Sequence, residues 1–383
     1  MSKFLAFVLM FLALAGCGTT SPVQNMVAAD FDVETLLIVI KDPRSERRRR
    51  GIATPAYSNT ASYTQDPMLL RAGQEVADVH DLNLLAQWPI RNLAVHCLVV
   101  EKPSRETLEA VKQDPKVEWV QPFNEFSTLS GSSSAGTSAD GWADLPTHTG
   151  QGVTIAVIDT SIDHNHPAFE GSVVRQQNFA GSSGEYGVEP HGTAVVGLIA
   201  AQPGHVKGVR GVAPDAQVEV LRACWQNNAR GKGVCNTLTL ALALDAAVDL
   251  APEILNLSLT GPEDVVLQAL IDRLLENGTL VVAAFDDGLK PNMRFPLNRQ
   301  GIVYAYGVDG DQQSPAVTTP DTVLLQAPRH AVSLSPAGGS DLVSGHSIAA
   351  PQLSGLAARL MAQEPESERQ HILAMLSQWL KPQ

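Results

Sequence analysis

The stretch VTIAVIDTSID, Val153–Asp163, decides the fold. Its first six residues are almost all apolar, and the run stops on a carboxylate, Asp159. A strand with one wet face alternates apolar and polar residues. A run without alternation predicts a strand covered on both faces, as in a parallel sheet between helices. The same pattern returns in QVEVLRA (Gln217–Ala223), EILNLSL (Glu253–Leu259), TLVVAAF (Thr279–Phe285), IVYAYGV (Ile302–Val308) and TVLLQA (Thr322–Ala327). Helical spacing falls between these runs. One helix opens near His191, one covers about Thr237–Asp249, one Pro262–Glu276, and a last one follows Ser347, with Pro351 in its first turn. Strands alternating with helices predict an α/β domain with a doubly wound, mainly parallel sheet and helices on both faces.

Upstream, the composition changes at STLSGSSSAGTSAD, Ser127–Asp140, which reads as a flexible Ser/Gly linker. It separates residues 17–126 from residues 141–383. The first part carries strands at LLIVIK (Leu36–Lys41), LNLLAQW (Leu82–Trp88), LAVHCLVVE (Leu93–Glu101) and VEWVQPF (Val117–Phe123). Helices are expected at Pro67–His80 and Ser104–Pro115, the second capped by Ser104. The order βαββαβ predicts a small α+β domain with two helices on one antiparallel sheet.

The chain has 383 residues and a formal net charge of −13, which argues against nucleic acid as a partner. The run Arg47–Arg50 reads as a solvated loop. At the N-terminus, Lys3 precedes the apolar run Phe4–Leu14, too short to span a bilayer, and then LAGC, Leu14–Cys17. This resembles the lipobox of bacterial lipoproteins. The resemblance implies a signal peptide over residues 1–16, lipidation of Cys17, membrane attachment through it, and an exported, cell-envelope location. Gly18 after the cysteine points to the outer membrane by that family's habit. Export permits disulfides. Cys224 and Cys235 flank a loop-like segment and would bridge it, while Cys97 sits in an apolar run as a buried free thiol; other pairings of the three stay open.

Active groups of such sheets gather beyond the carboxyl ends of the strands. Asp159 ends a strand, and His191 and Ser347 each open a helix. An imidazole held by a carboxylate can take the proton of a hydroxyl and make it a nucleophile. Singly, each residue has an ordinary reading as a turn cap, a structural histidine and an N-cap. Together, AVIDTSID, HGTAVVGLIA and SGHSIAAP resemble the three signature segments of the subtilisin-like serine proteases, in that family's order Asp, His, Ser. GVRGVAPDAQVEVLRA, ILNLSLTGP and RFPLNRQGIVYAYGVD extend the likeness from about Ala139 to the C-terminus. The segment from Asp32 to Phe126, most clearly DPKVEWVQPF, resembles the family's inhibitory propeptide.

The resemblance implies that Asp159 orients His191, that His191 is general base and then acid, and that Ser347 attacks the peptide carbonyl. Ser258, Leu259, Thr260 and Gly261 would meet the substrate, with Ser258 and Gly261 facing its main chain. The Ser347 N–H at a helix start would help bind the oxyanion. It also implies peptide or protein substrates and a precursor inhibited by its own propeptide. No cofactor is implied. Calcium stabilises many members, but no ligand cluster stands out here.

Two departures fall beside the nucleophile. The family's oxyanion Asn aligns with Asp286 in LVVAAFDDG, and its Thr before the serine is His346. An ionised carboxylate accepts and cannot donate. Three readings are open: Asp286 is protonated and donates, His346 pairs with it and donates, or hydrolysis is lost. The first two give an exported serine endopeptidase with altered pH behaviour, and the third a lipid-anchored peptide-binding pseudoprotease. A cut in the linker would leave the lipid with the small domain and release the larger one.

Overall fold

The computed structural model describes residues 34–43, 66–129, 145–172, 174–181, 187–226, 232–285, 295–296, 300–309 and 323–380. Residues 1–16, Cys17, Arg47–Arg50, the linker beyond Leu129 and Asp286 lie outside them. No helix among the described residues is long and apolar enough to cross a membrane.

Seven parallel strands form the main sheet: β6 (Thr154–Asp159), β7 (Val174–Asn178), β8 (Gln217–Arg222), β11 (Ile254–Leu257), β13 (Leu280–Ala284), β14 (Ile302–Val308) and β15 (Val323–Pro328). Their order is β15-β14-β13-β11-β6-β8-β7. Because side chains alternate across a strand, each apolar run feeds two cores. Ala156, Ile158, Leu255, Leu257, Val281 and Ala283 pack under α4 (Thr237–Leu250) and α5 (Val265–Glu276). Ile155, Val157, Ile254, Leu280 and Val282 pack under α3 (Pro190–Ala200), α6 (His346–Gln363) and α7 (Arg369–Trp379). The expectation of a mainly parallel sheet with helices on both faces is met, and the uninterrupted apolar runs are its cause.

The N-terminal part is a four-stranded antiparallel sheet, order β2-β3-β1-β4. Its strands are β1 (Thr35–Lys41), β2 (Leu84–Ile90), β3 (Val95–Glu101) and β4 (Val117–Pro122), with α1 (Pro67–Val79) and α2 (Arg105–Lys112) in the crossovers. Here too both faces are buried. Ile38, Ile40, Leu98 and Val100 meet Val76 of α1 and Val111 of α2. Leu37, Val39, Trp88, Cys97 and Val99 join the core that contains α4 and α5, so this sheet sits on those two helices. Burial raises the Cys97 thiol pKa well above its ordinary value.

Polar groups fix the docking. Asn92 donates its N–H and its side-chain amide to Asp245 on α4, each at 3.0 Å. Arg91 bonds to Asp249 one turn later. The Asn124 amide reaches Asp264, the N-cap of α5, at 3.1 Å, and Gln121 accepts from Val265 N–H. Docking buries Asp245 and pushes its pKa up to about 6, against the opposing pull of the Asn92 hydrogen bonds and the Arg91 charge.

Three elements depart from expectation. The helix expected from Pro262 starts at Val265, because the Asp264 carboxylate caps it through Leu267 N–H. Pro351 lies in the second turn of α6 rather than the first, since that helix starts at His346. Ser127 and Thr128, expected as linker, belong instead to a strand, β5 (Glu125–Thr128). It lies between β10 (Gly233–Asn236) and β12 (Leu259–Thr260) in a second sheet, order β12-β5-β10-β9, where β9 is Trp225–Gln226. Two further strands, β16 (His330–Ser335) and β17 (Gly339–Ser344), make a hairpin that leads into α6.

Candidate active site

Asp159 is the last residue of β6 and is fully buried. Its Oδ1 accepts Thr160 N–H at 2.7 Å and lies 2.7 Å from His191 Nδ1. Its backbone carbonyl accepts Ala223 and Cys224 N–H, which follow β8. With a carboxylate on Nδ1, a neutral His191 carries its proton there and leaves Nε2 as the basic nitrogen. Nε2 is buried and makes no hydrogen bond among the described residues.

His191 sits in the first turn of α3, after Glu189 and Pro190. Glu189 is a poor cap by residue type, and its side chain makes no cap bond. It instead accepts Ser161 N–H at 2.6 Å, Gln226 N–H at 2.7 Å and Arg222 Nε at 3.3 Å. Both members of this ion pair are buried. One carboxylate therefore ties together the loop after Asp159, the end of β8, strand β9 and the start of the His191 helix.

Ser347 is the second residue of α6. The preceding Gly345 has φ 128°, a conformation closed to side-chain-bearing residues in practice, and it turns β17 sharply into the helix. Pro351 explains a contact one turn back. Having no N–H, it leaves the Ser347 carbonyl without its intrahelical donor. The Ser258 hydroxyl fills the place at 3.0 Å. Ser258 is itself held by the Asn256 amide at 3.1 Å, and Asn256 by the Ser354 hydroxyl at 3.0 Å.

The segment Glu125–Leu129 runs through the site. Leu129 N–H donates to Ser258 O at 3.4 Å. Its carbonyl oxygen receives the Ser347 hydroxyl at 3.0 Å and Ser347 N–H at 3.5 Å. Thr128 Oγ1 accepts Gly233 N–H at 2.8 Å, and Gly233 packs against Thr160, next to Asp159. A chain of neighbours thus connects Ser347 to Asp159 along the bound segment, and Asp159 touches His191 directly.

A family model described as the subtilase family matches residues 150–380. The chain belongs to the subtilase family. It is 30% identical over 216 residues to a thermophilic serine proteinase of Bacillus sp. strain AK1, covering 55% of this chain and 53% of that protein. It is 26% identical over 379 residues to subtilisin-like protease 5 of Arthroderma otae, covering 93% and 89% of the two chains. This subtilase therefore spans about half the length of the first relative and most of the second. In fold it matches fervidolysin of Fervidobacterium pennivorans, described as a keratinolytic enzyme related to subtilisin. There the TM-score is 0.62 at 17% identity, over 90% of this chain and 57% of that one.

Other residues singled out from the sequence of this subtilase fall as follows. Ser258 faces the bound main chain through its carbonyl, while its side chain supports Ser347. Leu259 and Thr260 pair with Thr128 and Ser127. Gly261 lies against the ring of Phe126. His346 Nδ1 accepts Gly307 N–H at 3.1 Å, and the ring stacks on Tyr306 with centroids 4.7 Å apart. A neutral His346 thus bears its proton on Nε2, where it is a donor. A disulfide joins Cys224 to Cys235, and Cys97 is free and buried. Among the described residues no three His, Cys, Asp or Glu side chains gather as around a metal ion. Sequence reading missed Glu189, Arg222, Phe126 and Phe295. A glutamate in a cap position before Pro190 was the available signal for the first.

Proposed function

We propose that this subtilase is a serine endopeptidase made as a precursor, in which the N-terminal domain is an inhibitor-type propeptide and the first bond cut is Leu129–Ser130. The observation that supports this is the Leu129 carbonyl, 3.0 Å from the Ser347 hydroxyl and 3.5 Å from its N–H. A peptide carbonyl placed there is poised for attack, with the charge of the tetrahedral oxygen developing toward the start of a helix. His191 Nε2 takes the proton from Ser347 as the Ser347–carbonyl bond forms. Asp159 steadies the imidazolium. The proton then passes to the nitrogen of Ser130, the C–N bond breaks, and water repeats the sequence on the acyl-enzyme. The reaction needs no cofactor.

The oxyanion site in this reading includes Ser347 N–H, Asp286 and the Nε2–H donor of His346. Loss of one such donor costs about 10²- to 10³-fold in subtilisin itself, so an ionised Asp286 would slow the enzyme without abolishing it. Asp286→Asn is expected to raise activity at neutral pH and to move the optimum upward; the same pH profile in both proteins would count against a proton on Asp286. A fluorophosphonate probe tests the whole reading. Processed protein is expected to label, and Ser347→Ala is expected neither to label nor to process. Absence of labelling across the pH range would replace the endopeptidase by a peptide-binding pseudoprotease.

The reading extends to the address. Cys17 carries lipid that holds the precursor in a bacterial envelope, the outer membrane by its Gly18 neighbour. Cutting after Leu129 frees the catalytic domain from that lipid. Palmitate incorporation that survives Cys17→Ser would refute the anchor. A processed catalytic domain still covalently lipidated would refute the release.

A further inference from the structure

The first turn of α3 is held from outside its own helix. Pro190 has no N–H, His191 N–H donates to the Gln226 side chain at 3.4 Å, and Gly192 N–H donates to Thr160 Oγ1 at 2.9 Å. Both acceptors stand on segments that the Glu189 carboxylate grips. Ser161 N–H, next to Thr160, donates to Oε2 at 2.6 Å, and Gln226 N–H donates to Oε1 at 2.7 Å. Arg222 Nε meets Oε2 at 3.3 Å from the end of β8, while its Nη1 donates to Asn178 Oδ1 at 3.0 Å and Gly181 O at 3.3 Å. Glu189 is 6% exposed and Arg222 is fully buried.

Resting on the proposed function, we propose that Glu189, with Arg222 as its counter-charge, is a positioning residue for the general base. It sets where the His191 ring stands against Asp159, and hence where Nε2 stands toward Ser347. The arrangement calls for a carboxylate. Its two oxygens accept from two backbone N–H groups on different segments, whereas an amide has one oxygen and would turn an N–H toward the other donor. Arg222 offsets the cost of burying that charge. Such an ion pair is no general route to stability, since apolar residues of the same size often serve as well. What it adds here is place. Ser161 stands two residues after Asp159, and Gln226 bonds to His191 itself, so the Asp159 loop and the His191 helix are tied at one point. Reacting groups need placement to about 0.5 Å, and a shift of about 1 Å can cost about 100-fold. Gln226 also pairs with Gly233, whose N–H donates to Thr128, so the same carboxylate joins the base to the strand beside the bound segment.

Glu189→Gln alone leaves Arg222 buried without a counter-charge, so its effect mixes stability with place. Glu189→Gln/Arg222→Met removes the lone charge and keeps the side chains near their size. In the full chain, where Leu129 already lies at Ser347, conversion of the precursor is expected to slow about 10- to 100-fold in both variants. The urea midpoint of the double variant is expected to return toward that of the unaltered chain. In processed protein, kcat for a Phe-Ser-Thr-Leu peptide with a reporter after the leucine should fall by the same factor, with KM within about twofold. A conversion rate that recovers along with stability overturns the proposal, because Glu189 would then serve the fold alone. A second readout does not need hydrolysis. A proton held between His191 Nδ1 and Asp159, 2.7 Å apart, gives a far-downfield NMR resonance, assigned by its loss in His191→Gln. In the Ser347→Ala full chain carrying the double change, that resonance is expected to move upfield or vanish. An unmoved resonance overturns the positioning role whether or not the protein is a protease. A resonance that responds to the change in a chain that never processes would sink the protease reading and leave the positioning role standing.

Discussion

Ser258 and Pro351 show how two residues 93 positions apart become one structural unit. The proline removes a donor, and the serine supplies one to the same carbonyl. Ser258→Ala leaves the Ser347 carbonyl buried without a partner, at about 1–3 kcal/mol. Pro351→Ala returns an N–H to that carbonyl. The double variant is therefore expected to recover most of the stability and processing rate lost in Ser258→Ala. Urea unfolding and the rate of precursor conversion both report it, and simple additivity of the two changes would contradict the linkage. At this scale Asp159, His191 and Ser347 each stand inside a recognisable word, and the first two meet at 2.7 Å. Glu189 was not legible, because its partner Arg222 lies on another strand and only folding brings the two together.

Six of the seven strands of the main sheet followed from apolar runs, because burial on both faces leaves that trace in composition; β7, VRQQN, did not, since it is an edge strand with no buried residue. β5 left none. It is held by backbone hydrogen bonds to β10 and β12, and Ser127 and Thr128 look like linker because their side chains do not decide the pairing. The hairpin β9–β10 was hidden for the same reason. Leu129 is 8% exposed, so its side chain is enclosed while its carbonyl meets Ser347. Leu129→Glu would place a carboxylate in that enclosure without a charged partner. Precursor conversion is expected to slow by more than about 100-fold, a ratio that corresponds to about 3 kcal/mol. Conversion at an unaltered rate would show that another bond is cut first.

Across the whole molecule, the N-terminal sheet and the larger domain share one core, and the polar seam around Asp245 adds a dependence on acidity. Arg91, Asn92 and Asp249 face that carboxylate. Its pKa is about 6 when docked and would return to the ordinary carboxylate value, about 4, once the domains part. The docked state therefore binds the extra proton between about pH 4 and 6. Attachment is expected to strengthen as pH falls through that window and to weaken above it. Asp245→Asn should flatten this profile and hold the small domain more tightly at neutral pH. Dissociation of the cut domain, followed by size-exclusion chromatography across pH, measures both. The small four-stranded sheet beside the large parallel one was readable from the order of strands and helices. How the domains meet was not, since Asn92 and Asp245 carry no mark of each other in sequence.

The place of Leu129 at the Ser347 hydroxyl has a kinetic consequence. In the proposed maturation, nucleophile and target would belong to the same polypeptide, and no encounter between molecules would precede the first cut. Maturation should be unimolecular, with one half-time from nanomolar to micromolar protein. Diluting the precursor a thousandfold would leave its clock unchanged.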